Sequence, residues 1–211
     1  STTVWLKAKP EWAKGTQLIR ITPRYNADVN GYWMCDIGRF QYHWVESDAR
    51  MTTPLVRQRS GAQAAATWTA ALARLAEHLR PVMQAGAPAF RVLVSAHASH
   101  EELFLVRELV QRTQGPDAAR RVDVSWALSE KPQPAHTKFK VPAVDAPNVA
   151  GARAFGFNVP AGESARPDLS ALRGAVESGA VRALFVLDPG PDGSIGDVSW
   201  IVDARTSGTL A

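Results

Sequence analysis

With 211 residues, 45% of them hydrophobic, the chain can form one large domain or a small and a medium one around a real core. No apolar run approaches the roughly 20 residues of a membrane-spanning helix, and no basic-then-apolar signal pattern opens the sequence, so direct membrane insertion is not expected. The net charge of +4 is local, because residues 1–60 hold nine Lys/Arg against five Asp/Glu and the remainder balances.

That basic excess reads either as a solvated face or as a surface turned toward an anionic group. No basic run interleaves with aromatics and no nucleic-acid motif occurs, so nucleic acid is not an expected partner. Cys35 is the single cysteine, which excludes an internal disulfide and suits a reducing cytoplasm. The sequence begins at Ser1 without an initiator Met, as a processed product or a piece of a longer protein would.

In chain order, Thr2–Leu6 and Thr16–Ile21 are short β-branched and apolar runs. Lys7–Gly15 between them, with Pro10 and Gly15, reads as a long hairpin loop. Pro23 to Arg50 is dense in Asn, Asp, Gly and aromatics and has no sustained period. It reads as an ordered, loop-rich region held by its aromatics. Ser60–Gln84 reads as a helix, with Ala65, Trp68, Leu72, Leu75, Ala76 and Leu79 forming one apolar stripe.

From residue 89 strands and helices alternate. Phe90–Ser95 is an expected strand, and His100–Gln111 an expected helix with Ser99 as N-cap and Glu101 and Glu102 in its first turn. Val122–Ala127 follows as a strand, and residues 129–160 read as mostly irregular. Leu169–Glu177 reads as a helix capped by Asp168 and stopped near Gly179. Val181–Leu187 reads as a strand, and Val198–Val202 as another. The expected fold is α/β: a small β-rich N-terminal segment, then a Rossmann-like, mostly parallel sheet flanked by helices. The expected division is 1–57 β-rich, 58–88 a connecting helix, and 89–211 the α/β domain.

The most informative stretch runs from Arg20 through Pro23, Arg24, Asn26, Val29, Asn30, Trp33, Cys35, Asp36 and Gly38 to Arg39. It resembles the segment R-x-x-P-R-x-N-x-x-V-N-x-x-W-x-C-D-x-G-R of the G subunit of NADH-quinone oxidoreductase (complex I), within the wider molybdopterin oxidoreductases. A second similarity lies in Asp145–Ala152, with Asn148 and Gly151 as an N-x-x-G element, and in Val176–Asp188. Together the resemblance covers nearly the whole sequence, most specifically residues 20–57 and 140–190.

The resemblance implies that Cys35 is the last ligand of a 4Fe-4S cluster, and that Arg24, Asn30 and Arg39 lie near that cluster. It implies other subunits of a respiratory NADH dehydrogenase-like complex as partners. It also implies a cytoplasmic place, peripheral to the inner membrane through those subunits, and electron transfer toward quinone. The family's three earlier cysteines are absent, so no cofactor is expected on this chain alone and both ends read as cut. Molybdopterin belongs to the wider family, but no residue here stands out as a molybdenum ligand. The expected role is a scaffold without catalytic residues of its own. The alternatives are a piece of a bis-pterin molybdenum or tungsten enzyme such as a formate dehydrogenase, and a non-redox docking module.

Other readings of the same residues stay open. Cys35 can be a buried, inert packing residue or an exposed thiol. Arg20, Arg24 and Arg39 can pair with Asp28, Asp36 and Glu46, and Asp36-Ile37-Gly38 reads as a tight turn. Tyr32, Trp33, Phe40, Tyr42 and Trp44 are expected as core and cluster-shielding packing. His97 and His100 lack the further ligands of a zinc site. The loops Ser95–Ser99 and Asp188–Gly193 follow strands, where doubly wound folds bind ligands, yet neither carries the glycines that admit a pyrophosphate.

Overall fold

The computed structural model describes residues 2–7, 18–127, 136, 146–161, 166–189 and 193–210. Most of the Lys7–Gly15 loop, most of 129–145 and Gly190–Asp192 therefore lie outside the described residues. The chain divides into two compact units, Ser1–Ala71 and Leu72–Ala211.

The first unit opens on a hairpin. Strand β1 (Thr2–Leu6) pairs antiparallel with β2 (Leu18–Pro23), with Val4 opposite Ile21. Trp5 Nε1 donates to Thr22 Oγ1 at 2.9 Å, and the Arg20 guanidinium lies 4.4 Å from the Trp5 ring centroid. Beyond β2 the chain forms a short helix α1 (Asp36–Phe40) and a 3-10 turn at His43–Glu46. Two contacts tie that turn to β2: Tyr42 Oη donates to Ile19 O at 2.6 Å, and Leu18 N donates to Glu46 Oε1 at 3.1 Å.

A second hairpin follows, β3 (Leu55–Arg57) with β4 (Gln63–Ala65). This corrects the helix expected from Ser60. Gly61 turns the chain at φ +87°, and Gln58 N closes the turn on Ala62 O at 2.7 Å. The alanines at 64 and 65 are thereby held in strand pairing despite their helix propensity. Helix α2 (Trp68–Gln84) starts only after Thr67, whose Oγ1 accepts from Ala70 N at 3.2 Å.

The second unit is a three-stranded parallel sheet in the order β6 (Val122–Ser125), β5 (Phe90–Ser95), β7 (Ala183–Leu187). Val92 and Val94 of β5 face one core with Leu103, Val106 and Val110 of α3 (His100–Gln114), Val82 of α2, and Val149 and Ala152 of α4 (Val149–Ala154). Leu93 faces the other, with Leu172 and Val176 of α5 (Ser170–Glu177) and Trp200 of α6 (Ser199–Thr206). Alternate residues of one strand therefore meet helices on opposite faces, the doubly wound arrangement expected from the sequence.

Helix α6 replaces the strand expected at Val198–Val202. Trp200, Ile201 and Ala204 pack on the Leu93 core at helical spacing. Asp197 Oδ1 accepts from Ser199 N at 2.9 Å and opens the helix. The same device starts α5, where Asp168 Oδ1 accepts from Ser170 N at 2.9 Å. Helix α4 lies inside the stretch read as irregular.

Candidate functional site: the Cys35 loop and the sheet edge

Between β2 and α1 the chain makes a closed loop. Asn26 Oδ1 accepts from Asp28 N at 3.0 Å, and Asn26 O accepts from Gly31 N at 2.7 Å. Gly31 supplies the positive φ of +52° that this closure needs. Asn30 Nδ2 reaches the carbonyls of Arg24 at 3.4 Å and Trp33 at 3.0 Å. Its amide thus binds the two ends of the loop to each other, just before Cys35.

Cys35 is the N-cap of α1, and Gly38 N donates to its Sγ at 3.3 Å. The thiol is exposed, which sets aside its reading as a buried packing residue. Asp36-Ile37-Gly38 is the first turn of α1 rather than a separate tight turn. Arg39 follows one turn later, Arg39 N donating to Cys35 O at 3.1 Å. Its Nε is buried without a hydrogen-bond partner, as is Asn30 Oδ1. Arg24 is exposed. Among the described residues no ion pair joins Arg20, Arg24 or Arg39 to Asp28 or Asp36.

The aromatics of this region do not form a core. Trp33 is 86% exposed and Tyr32 72%, and Phe40 and Trp44 are also exposed. Tyr25 and Tyr32 touch each other at the surface, with ring centroids 4.6 Å apart. Among the described residues of the unit, two small hairpins and a five-residue helix offer no second layer to bury them against.

These residues fit one corner of an iron–sulfur cluster. The sulfur is accessible, it accepts a backbone N–H, and an unpaired Arg39 donor lies one turn away. Iron–sulfur clusters are usually held by four thiolates and this sequence has one cysteine, so a 4Fe-4S cluster on Cys35 would need three further ligands. Among the described residues no group of three His, Cys, Asp or Glu side chains could hold a metal ion.

At the C-terminal edge of the parallel sheet the polar groups engage each other. Asp188 accepts from Ser194 N at 2.8 Å, from Ile195 N at 3.3 Å and from the Ser194 hydroxyl. Ser194 Oγ also lies 2.6 Å from Ser95 Oγ, which accepts from His97 N at 3.1 Å. Ser125 Oγ donates to Ile195 O at 2.7 Å. The crevice between β5 and β7, where the strand order reverses, is thus bridged by the protein's own side chains around a carboxylate. Among the described residues this set centres on a carboxylate, whereas the phosphates of a pterin or nucleotide cofactor call for N–H donors and cations. No buried serine among these residues offers a free hydroxyl as a molybdenum ligand.

The N-x-x-G element is structural as well. Asn148 N donates to Ala96 O at 3.0 Å and Asn148 Nδ2 to Ala98 O at 2.9 Å, while Asn148 Oδ1 lies 3.2 Å from His100 Nδ1. It fastens the start of α4 to the β5–α3 loop. A Cβ at Gly151 would come within 2.1 Å of Asn148 Oδ1 and 2.5 Å of the His100 ring, so only glycine fits. His100 is engaged here, in contact with Phe155, and not in a metal site.

Residues 12–43 match the NADH-ubiquinone oxidoreductase NDSU1/NuoG-like 4Fe-4S domain family. Over 100 residues, 47% of its length, the protein is 35% identical to NADH-quinone oxidoreductase subunit 3 of Thermus thermophilus. Over 105 residues, 49% of its length, it is 29% identical to the probable oxidoreductase YjgC of Bacillus subtilis and 28% to a putative formate dehydrogenase of Staphylococcus aureus. The matched region covers only 11–12% of the length of these relatives. No helix among the described residues is long and apolar enough to cross a membrane. The segment that carries Cys35 is thus similar to the 4Fe-4S domain of NADH-ubiquinone oxidoreductases of the NDSU1/NuoG type.

Proposed function

We propose that this protein is part of an iron–sulfur electron-transfer subunit of the same type as the G subunit of NADH-quinone oxidoreductase, in which Cys35 is one of four thiolate ligands of a 4Fe-4S cluster. The observation that carries the reading is the exposed, hydrogen-bonded sulfur of Cys35 within the segment that matches a 4Fe-4S domain family. The cluster carries one electron at a time when bound. The protein's own residues present the sulfur, and Arg39 and Arg24 place positive charge on the same loop and helix. Positive charge and N–H donors there favour the more negative, reduced cluster and so raise its potential. Asn30 acts by holding the loop rather than by touching the cluster.

In this proposal residues 1–57 form the segment beside the cluster, 58–88 connect it, and 89–211 form a Rossmann-like scaffold. The partners are further subunits of an NADH dehydrogenase-like complex, and the place is the cytoplasmic side of the inner membrane, held there by those subunits. The likeness to proteins named formate dehydrogenases supports a second parent, a bis-pterin molybdenum or tungsten enzyme. The match of the Cys35 segment to a 4Fe-4S domain of NADH-ubiquinone oxidoreductases favours the electron-transfer parent.

Iron and acid-labile sulfide, measured on the protein purified without oxygen, test the one-in-four accounting. The expected result is less than stoichiometric iron, and four irons per molecule would overturn it. Reconstitution with ferrous iron, sulfide and excess 2-mercaptoethanol, the small thiol standing in for the outside ligands, should give cluster absorbance that Cys35→Ala abolishes. Absorbance that does not depend on Cys35, or none at all, removes the ligand role.

A further inference from the structure

Gly38 breaks a local rule. It sits inside α1, where alanine is the better helix former, and its backbone has no positive φ to require glycine. A Cβ built on it would lie 3.3 Å from Cys35 Sγ and 3.1 Å from Met34 Cε. Both distances are tighter than ordinary contact, so either the sulfur or the methionine has to give way. The same residue donates the only hydrogen bond the sulfur receives among the described residues, from Gly38 N at 3.3 Å.

We propose that Gly38 is the positioning residue of Cys35: the empty space at its Cα and its N–H together hold the sulfur in its outward, hydrogen-bonded rotamer with one side uncovered. The inference rests on the reading of Cys35 as a cluster ligand, and it deepens that reading by naming what keeps the ligand presented. A methyl group at position 38 covers the helix-side flank of the sulfur and pushes it off the line of the Gly38 N–H. Met34 closes the other side of the same small space, so the crowding depends on both residues. A purely structural glycine would leave the sulfur's behaviour unchanged when replaced by a better helix former.

The test uses the metal-free protein and reads the sulfur itself. Alkylation rates of Cys35 by iodoacetamide and by a bulky maleimide are compared for the unaltered protein, Gly38→Ala, Gly38→Val and the double variant Met34→Ala/Gly38→Ala. Circular dichroism melts of each are run alongside. Gly38→Ala should melt no lower than the unaltered protein yet alkylate more slowly by roughly threefold or more, the factor one lost hydrogen bond carries. Gly38→Val should be slower still, and trimming Met34 should return much of the rate. Equal rates in all four proteins overturn the inference, as do rates equal to those of the protein in urea, because the sulfur would then not be held. Slowed alkylation without a Cys35-dependent cluster would leave the sulfur geometry standing and remove the ligand reading. The converse would remove only the role of Gly38.

Discussion

Two side-chain clusters in the second unit hold its loops and sheet, and each makes a sharp prediction. Gly151→Ala drives a methyl group into Asn148 and His100, and both are fixed by bonds to the β5–α3 loop. It should lower stability by about 2 kcal/mol, the scale of overpacking a rigid site, read from the urea midpoint. Under β5 and β6, Arg91 Nη2 donates to Asp123 Oδ2 at 2.6 Å, and Asn158 Nδ2 donates to Asp123 Oδ1 at 2.7 Å. Asp123 is 5% exposed, so Arg91→Met leaves a buried carboxylate without its cation. That should cost about 3 kcal/mol, with Arg91→Met/Asp123→Leu recovering part of it, as a double-mutant cycle in urea would show.

Helices α5 and α6 begin with the same spelling, Asp-Leu-Ser at 168–170 and Asp-Val-Ser at 197–199. In each, the serine's N–H, and then its side chain, binds the aspartate and lowers its pKa below the usual 3.8; Arg173 adds to the effect at Asp197. A depressed carboxylate pKa contributes stability above the unfolded value, which is lost as pH falls through the lower folded value. Asp168→Ala and Asp197→Ala should therefore lower the melting temperature near pH 7, and the difference should close below about pH 4. A gap that persists in acid would mean that the aspartates act without their charge.

Legibility at this scale follows the local code. The strand at 90–95 and the Ser99 capping box of α3 are readable because pattern and cap agree. The start of α6 is hidden by the β-branched run Val198, Ile201 and Val202, although Asp197 repeats the signal that marks Asp168 as a cap. The start of α2 is hidden by an alanine run that a glycine turn diverts into a hairpin, a pairing between residues 55 and 65 that no local propensity encodes. Cys35 is legible through its long motif. The roles of Gly38 and Asn148 are not, because both depend on the space around an atom.

At the scale of the whole molecule the two units differ in kind. Every buried hydrophobic residue among those described lies between Val82 and Leu210, and none lies in the first unit. The first unit is held by hairpin ladders, the Asn26 and Asn30 loop bonds and surface aromatic contacts. Its described residues therefore lack the apolar burial that gives a domain most of its stability. On the proposed reading the cluster would add to the stability of this unit, since metal-binding free energy adds to folding free energy where the site forms only on binding. Hydrogen exchange followed by mass spectrometry should show slow amides in β5, β6 and α3 and fast ones in β1–β4 on the metal-free protein. Reconstitution with iron, sulfide and thiol should then slow exchange in 18–42, and Cys35→Ala should abolish that gain. Strong protection of residues 18–42 without metal would show that the first unit is stable by itself and that the cluster is not part of its fold.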